Sequence, residues 1–179
     1  MSEEKKKKMP ARIRVNRDAE IGCLPFGEVF TGFEEVDAVR AIFLEETEKV
    51  LADLKVDLQS RKGYLKIDDE TGHIVVSAEY LRTGEERYLY LDVIHELVHI
   101  RQFMEGKELF DGRYSYVDRP TEIEAYGAAA KEAKRIGMSD DEVVEYLRVE
   151  WVTEEEFQRL LVSLNPGPKE EEFRARSEG

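Results

Sequence analysis

Two histidines four positions apart, His95 and His99, enclose a glutamate, Glu96, in the stretch His-Glu-Leu-Val-His. On an α-helix, side chains at positions i and i+4 lie on one face about one turn apart, so both imidazoles can bind a single metal ion. Glu96 directly follows His95 and therefore projects to the side of the pair. That position suits a base acting on metal-bound water better than a third metal ligand. The spacing predicts a metal centre with a neighbouring catalytic carboxylate.

The residues around this motif favour a helix that packs against a core. Apolar side chains recur at steps of three or four residues, at Leu89, Val93, Leu97, Ile100 and Met104. Residues 83–86, Thr-Gly-Glu-Glu, supply the acidic first turn that stabilises a helix N-terminus. The alternative is that His95 and His99 are ordinary half-buried histidines. We prefer metal binding because two of the three histidines in the chain fall within this motif.

A second helix is predicted to begin at Pro120 and to end at Gly137. A catalytic zinc usually has three protein ligands, and this helix carries two candidates for the third, Glu122 and Glu124. The two side chains lie roughly 200° apart around the helix axis, and Glu122 shares its face with Tyr126 and further apolar residues. A carboxylate on a buried face is rare unless it is paired or bound to metal, so Glu122 is the predicted ligand. The alternative is a carboxylate stabilised by the helix dipole.

Together, His95-Glu-Leu-Val-His99 and Glu122-Ile-Glu-Ala-Tyr126 resemble the zincin metallopeptidases of the gluzincin type, in which a glutamate from the next helix completes an HExxH site. The chain resembles the small members of this group, the minigluzincins and related compact domains, more than the large thermolysin-like enzymes. The resemblance covers residues 64–137, and its specific part is the two motifs. The resemblance implies that His95, His99 and Glu122 bind Zn²⁺. It also implies that Glu96 is the general base, which takes a proton from zinc-bound water before attack on a peptide carbonyl.

One position departs from the gluzincin pattern. Many gluzincins have an aspartate four residues after the glutamate ligand, where this chain has Tyr126. The carboxylate that supports a zinc-bound histidine is therefore expected elsewhere. Asp92, one turn before His95, is the candidate.

The resemblance implies a zinc metalloendopeptidase that acts on extended peptides or unfolded proteins. It also implies an α+β fold, namely a compact zincin-like domain, mostly helical, with a short β-hairpin preceding the HExxH helix. Two other functions stay open. One is a non-hydrolytic zincin-like domain that binds a peptide or protein, although the presence of Glu96 argues against it because binding alone needs no base. The other is a regulatory protease specific for one protein partner.

The composition limits the partners and the compartment. The 179 residues have a net charge of -13 and 41% hydrophobic residues, which fits an acidic globular domain. An acidic surface disfavours nucleic acid and anionic membranes as partners. The single cysteine, Cys23, excludes an internal disulfide and favours a reducing, cytoplasmic compartment. We predict neither a signal peptide nor a membrane-spanning segment.

The domain organisation follows from charge and turn residues. We expect a disordered tail at residues 1–10, a single zincin-like domain at residues 11–165 and a charged C-terminal tail at residues 166–179. By resemblance to the minigluzincins, a terminal segment starting at residues 165–168 is a candidate for occupying the cleft in a latent enzyme. A disordered tail is the simpler interpretation of these residues.

Periodicity and turn residues predict the other elements. A helical period over residues 33–59 predicts one long amphipathic helix behind the site. Residues 63–67 and 73–77 predict a β-hairpin, and by resemblance to zincins the second strand is the candidate edge for pairing with an extended substrate. Residues 11–15 predict a short strand and residues 21–27 a loop. Ser139 and Thr153 predict the starts of two helices that end near residues 150 and 164 and complete the core.

Several side chains have more than one possible role. Cys23 is either a packed residue, which is the commoner case, or a metal ligand in a latent form. His73 is either an exposed histidine at a strand end or a ligand or oxyanion donor. The oxyanion of peptide hydrolysis needs a donor besides zinc. The candidates, among which the sequence does not choose, are Arg113, Tyr114, Tyr116 and Tyr126, in or after a loop at residues 106–119 that should border the cleft.

Overall fold

The computed structural model describes residues 9–164, which fold into an α+β structure with two small sheets and a majority of helix. The strands are β1 (Arg14–Val15), β2 (Gly22–Pro25), β3 (Phe30–Thr31), β4 (Lys55–Gln59), β5 (Leu65–Ile67) and β6 (Ile74–Ser77). The helices are α1 (Phe26–Val29), α2 (Asp37–Phe43), α3 (Thr47–Asp53), α4 (Ala78–Thr83), α5 (Glu86–Met104), α6 (Pro120–Arg135), α7 (Asp140–Leu147) and α8 (Glu154–Leu164). The predicted α+β class is confirmed.

The larger sheet has the strand order β2, β4, β6, β5. Its central pair, β4 and β6, is parallel, and both outer pairs are antiparallel. Val56 and Leu58 are buried, whereas Lys55, Asp57 and Gln59 are only partly buried. Because successive side chains of a strand point to opposite faces, one face of the sheet packs against the core and the other is partly open to solvent.

The predicted β-hairpin is confirmed as β5 and β6, with Leu65 opposite Val76 and Ile67 opposite Ile74. In its turn the Asp68 carboxylate accepts hydrogen bonds from the backbone N–H groups of Glu70 and Thr71. However, the predicted substrate-pairing edge at residues 73–77 is wrong. β6 is flanked by β4 and β5, so its backbone is paired on both sides, and β5 is the terminal strand on this side of the sheet. The hairpin alone cannot reveal this order, since it depends on where the distant β4 joins.

The single long helix predicted over residues 33–59 is also wrong. α2 ends at Phe43, and Leu44 adopts a positive φ of 54°, which an α-helix cannot accommodate. α3 then forms a second short helix, and residues 55–59 are β4. Leu58 fits both the helical period and the alternation of a strand, so periodicity alone did not separate the two.

At the N-terminal end, the predicted strand at residues 11–15 is present in shorter form as β1, which pairs with β3. The loop predicted at residues 21–27 is wrong, because these residues contain β2 and the start of α1. Gly22 and Pro25 suggested a loop, yet β2 is an edge strand, where glycine and proline are tolerated.

α5 carries the HExxH motif and is the central helix of the domain. It begins with the Glu85 carboxylate, which accepts a hydrogen bond from the backbone N–H of Tyr88. Tyr90, Leu91 and Ile94 are buried along with the predicted apolar stripe, so the helix is enclosed on several sides. Met104, predicted in the stripe, lies in the last turn and is 59% exposed.

α6 confirms the predicted second helix and packs along α5. The two helices are joined by hydrogen bonds between buried groups. Gln102 donates its side-chain amide to the carbonyl oxygen of Thr121 at 3.1 Å, and the Tyr90 hydroxyl donates to Glu132 at 2.6 Å. Near the surface Arg101 forms an ion pair with Glu124.

The two predicted C-terminal helices are confirmed as α7 and α8. Ser139 and Glu142 form a reciprocal capping box at α7, and Thr153 and Glu156 do the same at α8. α7 ends at Leu147, somewhat earlier than predicted. Phe157 and Leu160 of α8 are buried, as expected for helices that complete the core.

Residues 1–8 and 165–179 lie outside the described residues. Most of the predicted N-terminal tail, the whole predicted C-terminal tail and the candidate latency segment at residues 165–168 fall there. None of the helices described between residues 9 and 164 combines the length and the apolar character needed to cross a membrane.

Candidate metal centre and active site

The three predicted metal ligands meet at one point between α5 and α6. The Nε2 atoms of His95 and His99 are 3.1 Å apart. One carboxylate oxygen of Glu122 lies 3.1 Å from His95 Nε2, and the other lies 3.3 Å from His99 Nε2. All three residues are buried, whereas Glu124 is exposed on the opposite side of α6. The structure therefore brings together the ligands predicted from the sequence and agrees with the choice of Glu122.

These distances fit a tetrahedral zinc ion. With Zn–N and Zn–O bonds of about 2.0–2.1 Å and tetrahedral angles, neighbouring ligand atoms should be about 3.3 Å apart. The donor set of two imidazoles and one carboxylate is also one that catalytic zinc uses. The Glu122 carboxylate is buried, with its two oxygens against the two imidazoles. A buried carboxylate needs a compensating charge, which a divalent cation supplies.

A hydrogen-bond chain fixes the tautomer of His99. Gln102 donates its amide N–H to the Thr121 carbonyl, which can only accept, so its side-chain oxygen must face His99. His99 Nδ1 lies 2.7 Å from that oxygen and therefore carries a proton. In the neutral ring, Nε2 is then unprotonated and available as a metal ligand. Gln102 thus performs the supporting role that was expected of a carboxylate.

Gln102 was not singled out from the sequence, although it lies three residues after His99 on the same helix face. We expect Gln102→Leu to weaken zinc affinity by about 10- to 100-fold, because His99 would lose its orienting partner. Competition with a chromogenic chelator measures the affinity. Gln158→Leu, on the exposed part of α8, is the matched control and should leave it unchanged. Equal affinity of the Gln102 variant and the wild type would show that Gln102 does not orient the ligand.

Burial and mutual contact shift the pKa values of all three residues of the centre. Burial lowers the pKa of His95. Burial also disfavours the charged form of His99, but its hydrogen bond to Glu122 and the nearby carboxylates outweigh this and raise its pKa to about 9. Burial opposes ionisation of Glu122, yet hydrogen bonds to both histidines hold the pKa of Glu122 well below its usual value. In the metal-free chain a proton therefore takes the place of the cation, and metal binding must displace it.

Glu96 lies beside the ligands but does not join them. Its side chain is buried, and burial raises its pKa to about 8. The Oε2 atom has no hydrogen-bond partner among the residues that the structure describes. Glu96 also lines the cavity in front of His95. A buried carboxylate that faces a cavity and lacks a structural partner fits the predicted role of a general base.

The predicted support of His95 by Asp92 is wrong. Asp92 instead accepts hydrogen bonds from the hydroxyl groups of Tyr80 at 2.6 Å and Tyr146 at 2.9 Å. His95 Nδ1 is buried without a hydrogen-bond partner among the described residues. The sequence placed Asp92 one turn before His95, but tyrosines from α4 and α7 take up both carboxylate oxygens. No pattern within α5 could indicate that contact.

Burial raises the pKa of Asp92 from 3.8 to about 6. The folded chain therefore binds a proton more tightly than the unfolded chain, and ionisation of Asp92 destabilises the fold as the pH rises from about 4 to about 6. Asp92→Asn keeps the shape without the charge. We expect it to raise the unfolding free energy of the metal-free chain at pH 7 by up to about 3 kcal/mol and to change it little at pH 4. Urea unfolding at both pH values measures this, and an equal difference at both would contradict it.

A cleft opens in front of the centre. Two adjoining cavities, of about 240 and 160 Å³, share the lining residues Leu65, His95, Glu96, Tyr116 and Trp151. Trp151 is 52% exposed and packs against Tyr64 and Tyr116 at ring distances of 5.4 and 6.1 Å. The loop at residues 106–119 borders the cleft as predicted, because Leu109 and Phe110 line the smaller cavity.

Two of the four candidate oxyanion donors lie at the centre. The Tyr126 ring packs on His95 at a centroid distance of 4.3 Å, and its hydroxyl is 2.7 Å from that of Tyr116. Both tyrosines line the larger cavity. Arg113 is bound to Asp111 and Tyr114 is 43% exposed, and neither lines these two cavities. Of the four candidate oxyanion donors, only Tyr116 and Tyr126 therefore lie close enough to the centre to be considered further.

The structure also shows where Cys23 and His73, the two other candidate ligands, lie relative to this centre. Cys23 is exposed on β2, so it is neither packed nor a ligand of this centre. His73 Nδ1 lies 3.0 Å from an Asp57 carboxylate oxygen, and the residue does not line the cleft. Both therefore lie outside the centre formed by α5 and α6.

Comparison of the chain with protein-family models, with curated proteins and with solved structures finds no match. The resemblance to gluzincins therefore depends on the two motifs and on the geometry of their side chains.

Proposed function

We propose that this chain is a zinc-dependent peptidase that hydrolyses peptide bonds in extended segments. The observation that carries this proposal is the meeting of Glu122 with His95 and His99 beside a buried glutamate that faces an open cleft. A purely structural zinc site is closed by a fourth protein ligand and has no need of a neighbouring base. Glu96 is buried and lines the same cavity as His95, which supports a role as the base.

Each residue of the centre has its own role in the proposed hydrolysis. When bound by His95, His99 and Glu122, zinc makes water acidic and polarises a carbonyl group. Glu96 accepts the proton of the attacking water and returns a proton to the leaving amine. Tyr116 and Tyr126 keep their hydroxyl protons at neutral pH. One of these protons is shared between the two hydroxyls, so the other tyrosine can donate to the developing oxyanion.

The terminal strand β5 supplies the surface for an extended substrate. One edge of β5 pairs with β6, and the other has no strand partner among residues 9–164. Leu65, Lys66 and Ile67 line the smaller cavity together with His95 and Glu96. A peptide added to this edge would bind through its backbone and would run past the catalytic groups. Such binding selects an extended conformation more than a particular sequence, which favours peptides and unfolded proteins as substrates.

Hydrolysis of a quenched-fluorescent peptide library and of casein by the purified chain tests the proposal. We expect chelation to abolish hydrolysis, Zn²⁺ to restore it and Mg²⁺ to fail, because imidazole ligands suit zinc and not magnesium. Peptide binding without cleavage by the zinc-loaded chain would overturn the peptidase proposal and favour a binding domain. Cleavage of one protein in a cell extract, without hydrolysis of the library, would instead favour a regulatory protease.

A further inference from the structure

A second group of metal-binding side chains lies on the four-stranded sheet. It consists of Cys23 on β2, Asp57 on β4 and His73 at the start of β6, and one ligand atom from each lies within 4.8 Å of the other two. None of the three lines the cleft in front of His95. The group contains the only cysteine of the chain and the one histidine that the α5 centre does not use.

The strand register explains why these residues meet. Cys23 lies directly opposite Asp57 in the antiparallel pair of β2 and β4. Ile74 is opposite Val56 in the parallel pair of β4 and β6, and both are fully buried. His73 precedes Ile74 and Asp57 follows Val56, so alternation places both on the outer face of the sheet. Their side chains are 28% and 24% exposed and in contact, with His73 Nδ1 3.0 Å from an Asp57 oxygen.

The arrangement differs from a catalytic cysteine site. In a Cys-His-Asp triad the histidine lies between the thiol and the carboxylate, so that it can take the thiol proton. Here the Asp57 carboxylate contacts His73 at 3.0 Å, and Cys23 lies directly opposite Asp57 in the strand register. The carboxylate, and not the imidazole, is therefore the group that the other two residues share. The same three groups can bind a cation, because their ligand atoms all lie within 4.8 Å of one another and each atom has a lone pair.

We propose that Cys23, Asp57 and His73 bind a second Zn²⁺ ion. Sulfur, imidazole nitrogen and carboxylate oxygen are the three ligand types that zinc accepts, and the thiolate excludes Mg²⁺ and Ca²⁺. The exposure of Cys23 leaves the fourth position to solvent. This ion joins β2, β4 and the start of β6, and it therefore stabilises the sheet whose terminal strand borders the cleft. The site does not depend on the proposed peptidase function.

Cobalt titration of the metal-free full chain tests this site by itself. A thiolate bound to Co²⁺ gives a charge-transfer absorption band in the near ultraviolet, whereas nitrogen and oxygen ligands do not. The chain has a single cysteine, and the α5 centre contains no sulfur, so the band can arise only at Cys23. We expect saturating Co²⁺ to produce the band in the wild type and in Glu122→Gln. Cys23→Ser should lack it.

Asp57→Asn and His73→Gln should each weaken the Co²⁺ affinity read from this band by about 10-fold or more, since each removes a direct ligand. Asp69→Asn, an exposed aspartate in the β5–β6 turn, is the matched control and should leave the affinity unchanged. The proposal is overturned if saturating Co²⁺ gives no band in the wild type. It is equally overturned if Asp57→Asn and His73→Gln bind as tightly as the wild type. A band that weakens per chain on dilution would assign the cation to a contact between two chains.

Discussion

Glu96→Gln should lower kcat/KM for peptide hydrolysis by about 10²- to 10⁴-fold, because a carboxamide cannot accept a proton from the attacking water. The substitution keeps the size of the side chain, which is buried beside His95 and faces the cleft. Glu96 does not contribute a ligand atom to the group formed by His95, His99 and Glu122. Zinc affinity should therefore stay within a few-fold of the wild type. Steady-state kinetics and chelator competition on the same preparation measure both quantities.

The matched control is Glu79→Gln, an exposed glutamate on α4, which should leave both quantities unchanged. Equal hydrolysis by the wild type and Glu96→Gln would contradict the assignment of Glu96 as the base. A parallel fall in zinc affinity and activity would assign the effect to the metal centre and not to proton transfer.

Glu122→Gln should lower zinc affinity by about 100-fold or more, since it removes a direct ligand, and loss of even an outer partner costs about 10- to 100-fold. The amide is neutral and binds zinc poorly, and it leaves His95 and His99 as the remaining ligands. Hydrolysis should be lost at equimolar zinc and should return in part when zinc is in excess. Zinc titration followed by hydrolysis rate measures this.

Glu124→Gln is a stringent control for Glu122→Gln. It removes the same charge two residues away, on the exposed side of α6, where Glu124 pairs with Arg101. An exposed pair of this kind contributes little to stability, so zinc affinity and activity should be unchanged. Similar losses in both variants would contradict the placement of Glu122 as a ligand and point to a general effect of charge.

The meeting of His95, His99 and Glu122 could be predicted from the sequence because their spacing is local. His95 and His99 belong to one helix, and a single carboxylate on the apolar face of the next helix identified Glu122. The contact of Gln102 with His99 could have been predicted in the same way, since Gln102 lies three residues after His99 on a buried face. The prediction that Asp92 supports His95 was wrong for a different reason. Its partners, Tyr80 and Tyr146, come from other helices, and only the folded chain shows that they reach it.

The sheet was harder to predict because its order is a property of the whole domain. The β5–β6 turn could be recognised from adjacent residues. β5 lies at the end of the sheet because β4 pairs with the other edge of β6. The apolar positions of β4 were also compatible with a helix, so this pairing could not be predicted. Leu44, with its positive φ, carries no sequence signal for the break that it makes between α2 and α3. Nor does the sequence around Trp151 show that this residue lines the cleft, because its neighbours there come from distant parts of the chain.

The hydrogen bonds from Gln102 to Thr121 and from Tyr90 to Glu132 join α5 to α6 through protein atoms alone. These bonds need no cation, so we expect α5 and α6 to pack together in the metal-free chain, unlike a zinc finger, which is unfolded without its metal. For the proposed peptidase, synthesis of the chain and loading with zinc would then be separate events. A pool of folded, zinc-free molecules would be inactive, and a rise in available zinc would activate part of it without new protein synthesis.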